Sequence, residues 1–423
     1  MEIEMKNLEQ IRNTESKLLL QTYDRNPILF VNGEGVHLID ENGNRYLDLL
    51  GGIGVNALGY NHPAIVDTIA RQSKQLIHIS NLFYHHYQAE LAEKLTKLTG
   101  LDRVFFSNSG TEAWEGALKL ARAHAGLLRS EGRTIGTNFL ALEHSFHGRT
   151  FGSVSTTWKA KYREPFAPTL DGISFVRFDD VADLRAKFST DVCAILIEVI
   201  QGEGGIRPVS KEFFAAARSL ADSTGALLIA DEIQAGTGRT GKWCAYQHYG
   251  IKPDVTTLAK QLAGGIPLGA ILCTDEAARA IHAGMHGTTF GGGPLACAVA
   301  CAVIDTIERD GLLDNATKVG GYFIEQLCGL EKKHPAIIDV RGKGLMLAAE
   351  LNSADLAKKV VAEMLTRHIV INCTSETVLR FLPPYILKKS HVDEAIHALD
   401  EILTEDEQTP ALTGAAKGAI HGQ

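Results

Sequence analysis

From about residue 60 to 305, short apolar runs alternate with stretches of helical periodicity, and this alternation narrows the available folds more than any other feature. The runs are Arg103-Val104-Phe105-Phe106, Asn138-Phe139-Leu140-Ala141-Leu142, Ala194-Ile195-Leu196-Ile197 and Ala226-Leu227-Leu228-Ile229-Ala230. Most are apolar at successive positions rather than at alternate ones, the pattern of strands buried on both faces. Such strands in alternation with helices predict an α/β fold: a mainly parallel sheet wrapped by helices.

The last of these runs ends in Asp231, and Lys260 closes a second strand-like stretch, Thr256-Thr257-Leu258-Ala259. Ligands of open α/β sheets bind beyond the carboxyl ends of the strands, so an acid and an amine are expected at one edge. That combination suits pyridoxal phosphate, whose aldehyde takes an amine as a Schiff base and whose ring nitrogen takes an acid. Taken alone, the pair also fits an ordinary strand end and a solvated lysine. A rival reading comes from Gly236-Thr237-Gly238-Arg239-Thr240-Gly241-Lys242-Trp243, which nearly spells the phosphate loop of an NTPase. Trp243 stands where a hydroxyl should ligate the metal, and one strand would have to supply both the loop and the metal-binding acid. A P-loop NTPase is therefore kept only as a remote alternative.

At 423 residues the chain has room for two domains, or one large domain with appendages. The expected division is an N-terminal segment over 1–60, a large domain over 61–305, a small C-terminal α+β domain over 306–404 and a tail over 405–423. Residues 1 to about 20 read as a polar amphipathic helix. Asn42-Gly43-Asn44 predicts a tight turn between two short strands. Residues 335–403 read as strand, helix, strand, strand, helix. The Gly-, Ala- and Thr-rich tail is expected to be disordered.

Hydrophobic residues make up 45% of the chain and the net charge is −8, which argues against a nucleic-acid surface. No apolar stretch reaches membrane-spanning length. The mixed-charge start, Met1-Glu2-Ile3-Glu4-Met5-Lys6, is not expected to act as a secretory signal. Seven cysteines without paired spacing suit a reducing compartment, so a cytoplasmic protein is expected. Cys297 and Cys301 read as small core residues of a helix, and His85-His86 lack further ligands at a metal-binding spacing. No metal is expected.

Four segments could complete a site. Ser109-Gly110-Thr111 follows a strand and opens a helix, offering backbone N–H groups, hydroxyls and the positive dipole end to an anion; a simple N-cap by Ser109 is the plainer alternative. Phe146-His147-Gly148-Arg149 could supply an aromatic for a planar ring and a guanidinium for a carboxylate, or merely a core aromatic and a surface ion pair. Glu198 ends a strand and leads into Gln201-Gly202-Glu203-Gly204-Gly205. Thr288-Thr289-Phe290-Gly291-Gly292-Gly293-Pro294 is a second glycine-rich loop with hydroxyls.

Taken in order, these segments resemble the class III (fold type I) aminotransferases, from about Thr22 to Leu403. The matching pieces are Asn108-Ser109-Gly110-Thr111-Glu112-Ala113, Phe146-His147-Gly148-Arg149-Thr150, Gln201–Gly205, Asp231-Glu232-Ile233-Gln234 with Gly238–Gly241, Ala259-Lys260, and Thr288–Gly292. Within the class the chain is most similar to the acetylornithine aminotransferases, through Gly52–Asn56, Ile79–Tyr84, Val340–Met346 and Arg380–Pro384. The resemblance implies pyridoxal phosphate, held as a Schiff base on Lys260 with Asp231 at the ring nitrogen. Gln234 would reach the ring hydroxyl, Phe146 and Ile233 would cover its two faces, and His147 and Glu198 would belong to the same cofactor shell. Ser109, Gly110 and Thr111 would bind the phosphate together with Thr289 of the partner subunit, which implies a homodimer with shared sites. Arg149 would hold a substrate carboxylate, Glu203 and Arg380 would form a switchable pair, and Tyr23, Asn81 and Thr288 would lie on the substrate side.

The implied reaction moves the terminal amine of N2-acetylornithine to 2-oxoglutarate, as in arginine biosynthesis. Ile53, smaller than the aromatic found nearby in ornithine enzymes, favours an N-acylated donor, whereas Tyr23 matches a tyrosine that those enzymes use. Succinylornithine, ornithine, 4-aminobutyrate and acyl-lysine donors stay open. The chain departs from the family pattern at Trp114, Val199 and Gly293, and lacks one glycine after Lys260. None removes a group that does chemistry, but Trp114, bulky and near the phosphate-binding turn, leaves fine substrate choice open.

Overall fold

The computed structural model describes residues 6–408. Its centre is a seven-stranded sheet in the order Arg103–Ser107, Gly269–Cys273, Val255–Leu258, Leu227–Asp231, Val192–Glu198, Asn138–Leu142, Ile173–Val176. Four adjacent pairs are parallel, and Gly269–Cys273 runs antiparallel to both of its neighbours. Every residue of Val192–Glu198 and Leu227–Asp231 is buried. Successive side chains of a strand point to opposite faces, and here the faces meet different cores. Ile195, Ile197, Leu228 and Ala230 pack with Phe213 and Phe214 of the Lys211–Thr224 helix. Ala194, Leu196, Leu227 and Ile229 pack with Ala117, Ala121 and Ala125 of the Gly110–Ser130 helix. Two apolar faces per strand explain the unbroken apolar runs.

The turn expected at Asn42-Gly43-Asn44 joins His37–Asp40 to Arg45–Asp48 in antiparallel register, with Leu38 opposite Tyr46. The Asp40 carboxylate accepts from the backbone N–H groups of Asn42 and Asn44 at 2.9 and 2.8 Å, and Gly43 takes a φ of 84°, which glycine adopts freely. Phe30–Glu34 extends this sheet on one side and Ile369–Val370, from the far end of the chain, on the other. The N-terminal segment thus shares a core with the C-terminal part: Leu47, Leu49 and Leu58 pack in one cluster with Phe323, Phe381 and Leu399.

Several elements differ from the sequence reading. Ile173–Val176 and Gly269–Cys273 are strands that the apolar runs did not single out. Ile337–Lys343 and Met346–Leu351 form a hairpin where one strand was expected. The helix expected over 1 to about 20 spans Leu8–Leu18, opened by a capping box between Asn7 and Gln10. The final helix runs Lys389–Gln408, so residues 405–408 are helical rather than disordered. Glutamate and glutamine favour helix, and Thr404-Glu405-Asp406-Glu407-Gln408 continues it by propensity. The expected disorder of 409–423 lies outside the described residues, as do residues 1–5.

Among the described residues no helix is long and apolar enough to cross a membrane, and no group of three or more His, Cys, Asp or Glu could hold a metal ion. Cys297 and Cys301 are buried in the core.

Candidate active site

The carboxyl ends of the parallel strands open into a cavity of about 340 Å³ lined by Asn108, Ser109, Gly110, Thr111, Phe146, His147, Glu198, Glu203, Asp231, Ile233, Gln234 and Lys260. Asp231 ends the central strand directly opposite Glu198 in the parallel register. Its carboxylate is held on both oxygens: Oδ1 accepts from the Ile233 backbone N–H at 3.0 Å and the Thr257 hydroxyl at 3.3 Å, and Oδ2 accepts from His147 Nδ1 at 2.7 Å. Three donors around one buried carboxylate fix its orientation toward the cavity.

Glu198 is also fully engaged, accepting from the backbone N–H groups of Phe146 at 2.8 Å and Gly202 at 3.0 Å. Burial, and then the adjacent Asp231, push its carboxyl up to about 8. Glu198 therefore keeps its proton more firmly than a solvated glutamate, as expected of two carboxylates sharing a buried site.

Lys260 follows the Val255–Leu258 strand and opens a short 3-10 turn at a φ of 46°, a left-handed conformation that lysine rarely adopts. Such backbone strain gathers at functional sites. Burial pushes the Lys260 ammonium below the ordinary lysine value, against the opposing pull of Asp231 and Glu203. A lysine so placed reaches the neutral, nucleophilic form more readily than a solvated one.

At the other end of the cavity, Ser109 caps the Gly110–Ser130 helix through its side chain, which accepts from the Glu112 N–H at 3.2 Å. The capping role and the anion-seat reading coexist, because the first-turn N–H groups still face the cavity edge. The Thr111 hydroxyl is held at 2.8 Å from both Thr150 and Ser153. Two glycines keep this end open. A Cβ at Gly110 would come within 2.9 Å of Ile233 Cγ2, and one at Gly148 within 2.5 Å of Thr111 Oγ1.

Arg380 is buried and paired with Glu203 at 2.5 Å, with further bonds to Asn372 at 3.1 Å and Gln234 at 3.5 Å. Burial alone would raise the Glu203 carboxyl, but Arg380 outweighs it and holds the group below the usual carboxylate value. Arg149 lies beside Phe146 but exposed, its guanidinium stacked 3.6 Å from the Tyr162 ring centre.

Six expected site residues do not line this cavity within the chain: Arg149 and Arg380, placed above, and Tyr23, Asn81, Thr288 and Thr289. Tyr23 is 77% exposed. Asn81 anchors a loop, its amide donating to the carbonyls of Thr288 and Gly291 at 3.3 and 3.0 Å. Thr288 and Thr289 line a separate surface depression with Asn81, Leu82 and Tyr84, although the Thr288 hydroxyl accepts from Asn108 of the cavity at 3.2 Å. Conversely, Val55 and Gly265-Ile266-Pro267-Leu268 line the cavity without having been singled out. The Gly-Ile-Pro turn after Lys260 was the available signal. Thr257, second of two threonines on the strand before Lys260, was missed as a partner of Asp231.

Trp114 is fully buried and does not line the cavity itself; its indole lies against His147, which does. The NTPase reading is likewise overturned. Thr237–Thr240 is buried, and Arg239 spends its guanidinium on the backbone carbonyls of Pro383, Leu345 and Gly54. Glu232, the would-be metal acid, accepts from the Ala245 and Tyr246 N–H groups at 2.9 Å each.

A family model described as Aminotransferase class-III matches residues 20–403. The chain belongs to that family. Among relatives of this class-III aminotransferase, the acetylornithine aminotransferase of Methanocaldococcus jannaschii is 47% identical over 394 residues, covering 92% of this chain and 97% of the relative. A Toxoplasma gondii ornithine aminotransferase, with PLP in partial occupancy at its active site, superposes with a TM-score of 0.90 at 30% identity and covers 96% of each chain. An acetylornithine aminotransferase from Elizabethkingia anophelis gives a TM-score of 0.83 at 30% identity, covering 95% of this chain and 100% of that one.

The cofactor is pyridoxal 5′-phosphate, and the residues present fit it. A helix N-terminus with two glycine clearances suits the phosphate, a triply held carboxylate suits the ring nitrogen, and a depressed lysine suits the aldehyde.

Proposed function

We propose that this aminotransferase takes the terminal amine of N2-acetylornithine and delivers it to 2-oxoglutarate, giving N-acetylglutamate semialdehyde and glutamate, as a cytoplasmic step of arginine biosynthesis. The observation that carries the reading is one cavity lined by Lys260, Asp231 and Glu203, the last paired with the buried Arg380, in a chain 47% identical to an acetylornithine aminotransferase. Pyridoxal phosphate supplies an aldehyde that condenses with amines and a ring that accepts electrons. Lys260 Nζ would hold the cofactor and, when free, would carry the proton at the reacting carbon. Asp231 would favour a proton on the ring nitrogen. Phe146 and Ile233 would hold the ring and exclude water, and Gln234 would meet its hydroxyl.

Arg149 holds the α-carboxylate of the donor, then the distal carboxylate of 2-oxoglutarate. Arg380 stays neutralised by Glu203 during the first half-reaction and is released for the α-carboxylate of 2-oxoglutarate in the second. Arg149→Ala is therefore expected to impair both half-reactions, and Arg380→Ala chiefly the second. Loss of one charge-assisted contact costs roughly 1.5–3 kcal/mol, about one to two decades in kcat/KM. Single-turnover absorbance measures the halves separately, and greater damage to the donor half in Arg380→Ala rules out the switch.

The enzyme acts as a homodimer in which Thr289 of the partner subunit completes the phosphate seat. Leu82, Phe83, Tyr84 and Phe290, at 86, 63, 102 and 65% exposure, lie around Asn81 and the Thr288–Thr289 loop. An apolar patch of this kind is characteristic of an interface. Mixed Thr289→Ala and Lys260→Ala chains are expected to recover activity in heterodimers, which neither parent shows. A fully active monomer by sedimentation at assay concentration excludes the shared site.

The donor is tested by screening acetylornithine, succinylornithine, ornithine, 4-aminobutyrate and an acyl-lysine against 2-oxoglutarate. Acetylornithine is expected to give the highest kcat/KM. Free ornithine as the preferred donor overturns the assignment, and Tyr23 becomes the residue to examine.

A further inference from the structure

We propose that Trp114 is a positioning residue for the acid at the cofactor's ring nitrogen, acting through His147, and that it links this acid to the phosphate seat. The proposal rests on the reading of Asp231 given above. His147 is buried and donates from Nδ1 to Asp231 Oδ2 at 2.7 Å, while its Nε2 has no hydrogen-bond partner among the described residues. One hydrogen bond fixes one ring atom but leaves the imidazole free to tilt about it. The Trp114 indole removes that freedom. It lies flat against the imidazole, with ring centres 3.9 Å apart and planes 4° from parallel.

The indole is itself pinned, donating from Nε1 to the Thr156 hydroxyl at 2.9 Å, and the next hydroxyl, Thr157, accepts from the His147 backbone N–H at 3.0 Å. Both ring and backbone of His147 are therefore referenced to one short segment. A flat stack of this kind holds the imidazole in the plane that aims its N–H at Asp231.

Trp114 stands one helical turn after Gly110 on the Gly110–Ser130 helix. Residues at that spacing lie on the same face of a helix. The helix end that receives the phosphate and the aromatic that orients the ring-nitrogen acid thus belong to one rigid element. Smaller residues at this position cannot stack on the histidine, so the coupling is a property of chains with an aromatic here.

The test compares Trp114→Leu, which fills the core but cannot stack, with Trp114→Phe, which can stack but cannot reach Thr156. In the full-length holoenzyme, Trp114→Leu is expected to move the pH midpoint of the visible absorbance by at least about half a unit. Its cofactor affinity is expected to fall about three- to tenfold, and Trp114→Phe to recover most of both. The decisive readout is the ring of His147 in histidine-labelled NMR of the cofactor-free chain: a single ring orientation with upfield-shifted ring protons in the wild type, and exchanging orientations without that shift in Trp114→Leu. These signals need neither cofactor nor turnover, so they test the stack even if Asp231 proves to face something other than the ring nitrogen. Wild-type midpoint, affinity and His147 signals in folded Trp114→Leu overturn the proposal. Should that variant not fold, the wild type decides: one ring orientation with upfield-shifted ring protons sustains it, and two exchanging orientations overturn it.

Discussion

Lys260→Ala is expected to bind the cofactor through its phosphate yet lose the visible band of a lysine-linked chromophore, and with it essentially all turnover. In the proposed reaction the lysine has two tasks, anchoring the cofactor and carrying the proton, and no neighbour is placed to take over the second. Glu198 holds its proton to about pH 8, Glu203 is engaged by Arg380, and Asp231 is committed to three donors. Loss of proton transfer alone costs roughly 10²–10⁴-fold, and loss of the preformed linkage adds to it. Stability should change little, because the Lys260 side chain lines the cavity and makes no hydrogen bond or ion pair among the described residues. Removing its left-handed φ of 46° is not possible by this substitution, so the strain stays with the loop. The check is absorbance of the reconstituted variant together with single-turnover kinetics. A variant that keeps wild-type activity removes Lys260 from the mechanism and the proposed reaction with it.

Much of this site was legible in the sequence because its parts are local. A strand buried on both faces reads as an unbroken apolar run, so Asp231 at the end of Leu227–Asp231 announced its own position at the sheet edge. Ser109-Gly110-Thr111 carries the dipole, cap and glycine of an anion seat within three residues. Where structure depends on partners distant in sequence, the reading failed. Gly269–Cys273 is as apolar as its neighbours, and nothing in its composition says that it runs antiparallel. Ile369–Val370 joins the N-terminal sheet through two residues, too few to give a period.

Trp114 shows where local reading stops. Its nearness to the phosphate-binding turn was legible, but proximity along a helix does not give direction. The side chain points into the core between helix and sheet, where it meets a histidine from another segment. Asn81, expected on the substrate side from the resemblance, holds the Thr288–Gly291 loop by two carbonyls. Whether a polar side chain faces a ligand or its own backbone is decided by tertiary contacts, not by residue type.

Asp231→Asn should fold and bind cofactor but turn over far more slowly. The amide is isosteric, and its carbonyl can keep the bond from the Ile233 N–H. Its NH2 group, however, confronts His147 Nδ1, which now must accept rather than donate, so the buried pair reorganises. More important is the lost charge. Two unit charges about 4 Å apart at an effective dielectric of about 20 attract by roughly 4 kcal/mol, the scale on which Asp231 keeps the ring nitrogen protonated. Loss of most of that attraction slows the step that builds negative charge on the substrate carbon by roughly 10²–10³-fold. The same substitution should act on Glu198, which is raised first by burial and then by Asp231. Without its neighbour's charge Glu198 ionises at lower pH, while burial still keeps it above an ordinary glutamate. Turnover and the pH dependence of the bound cofactor's absorbance, measured on one preparation, separate these effects. If Asp231→Asn turns over within a few-fold of wild type, the carboxylate is only a strand end held by three donors, and the electron-accepting ring must be supported by another group.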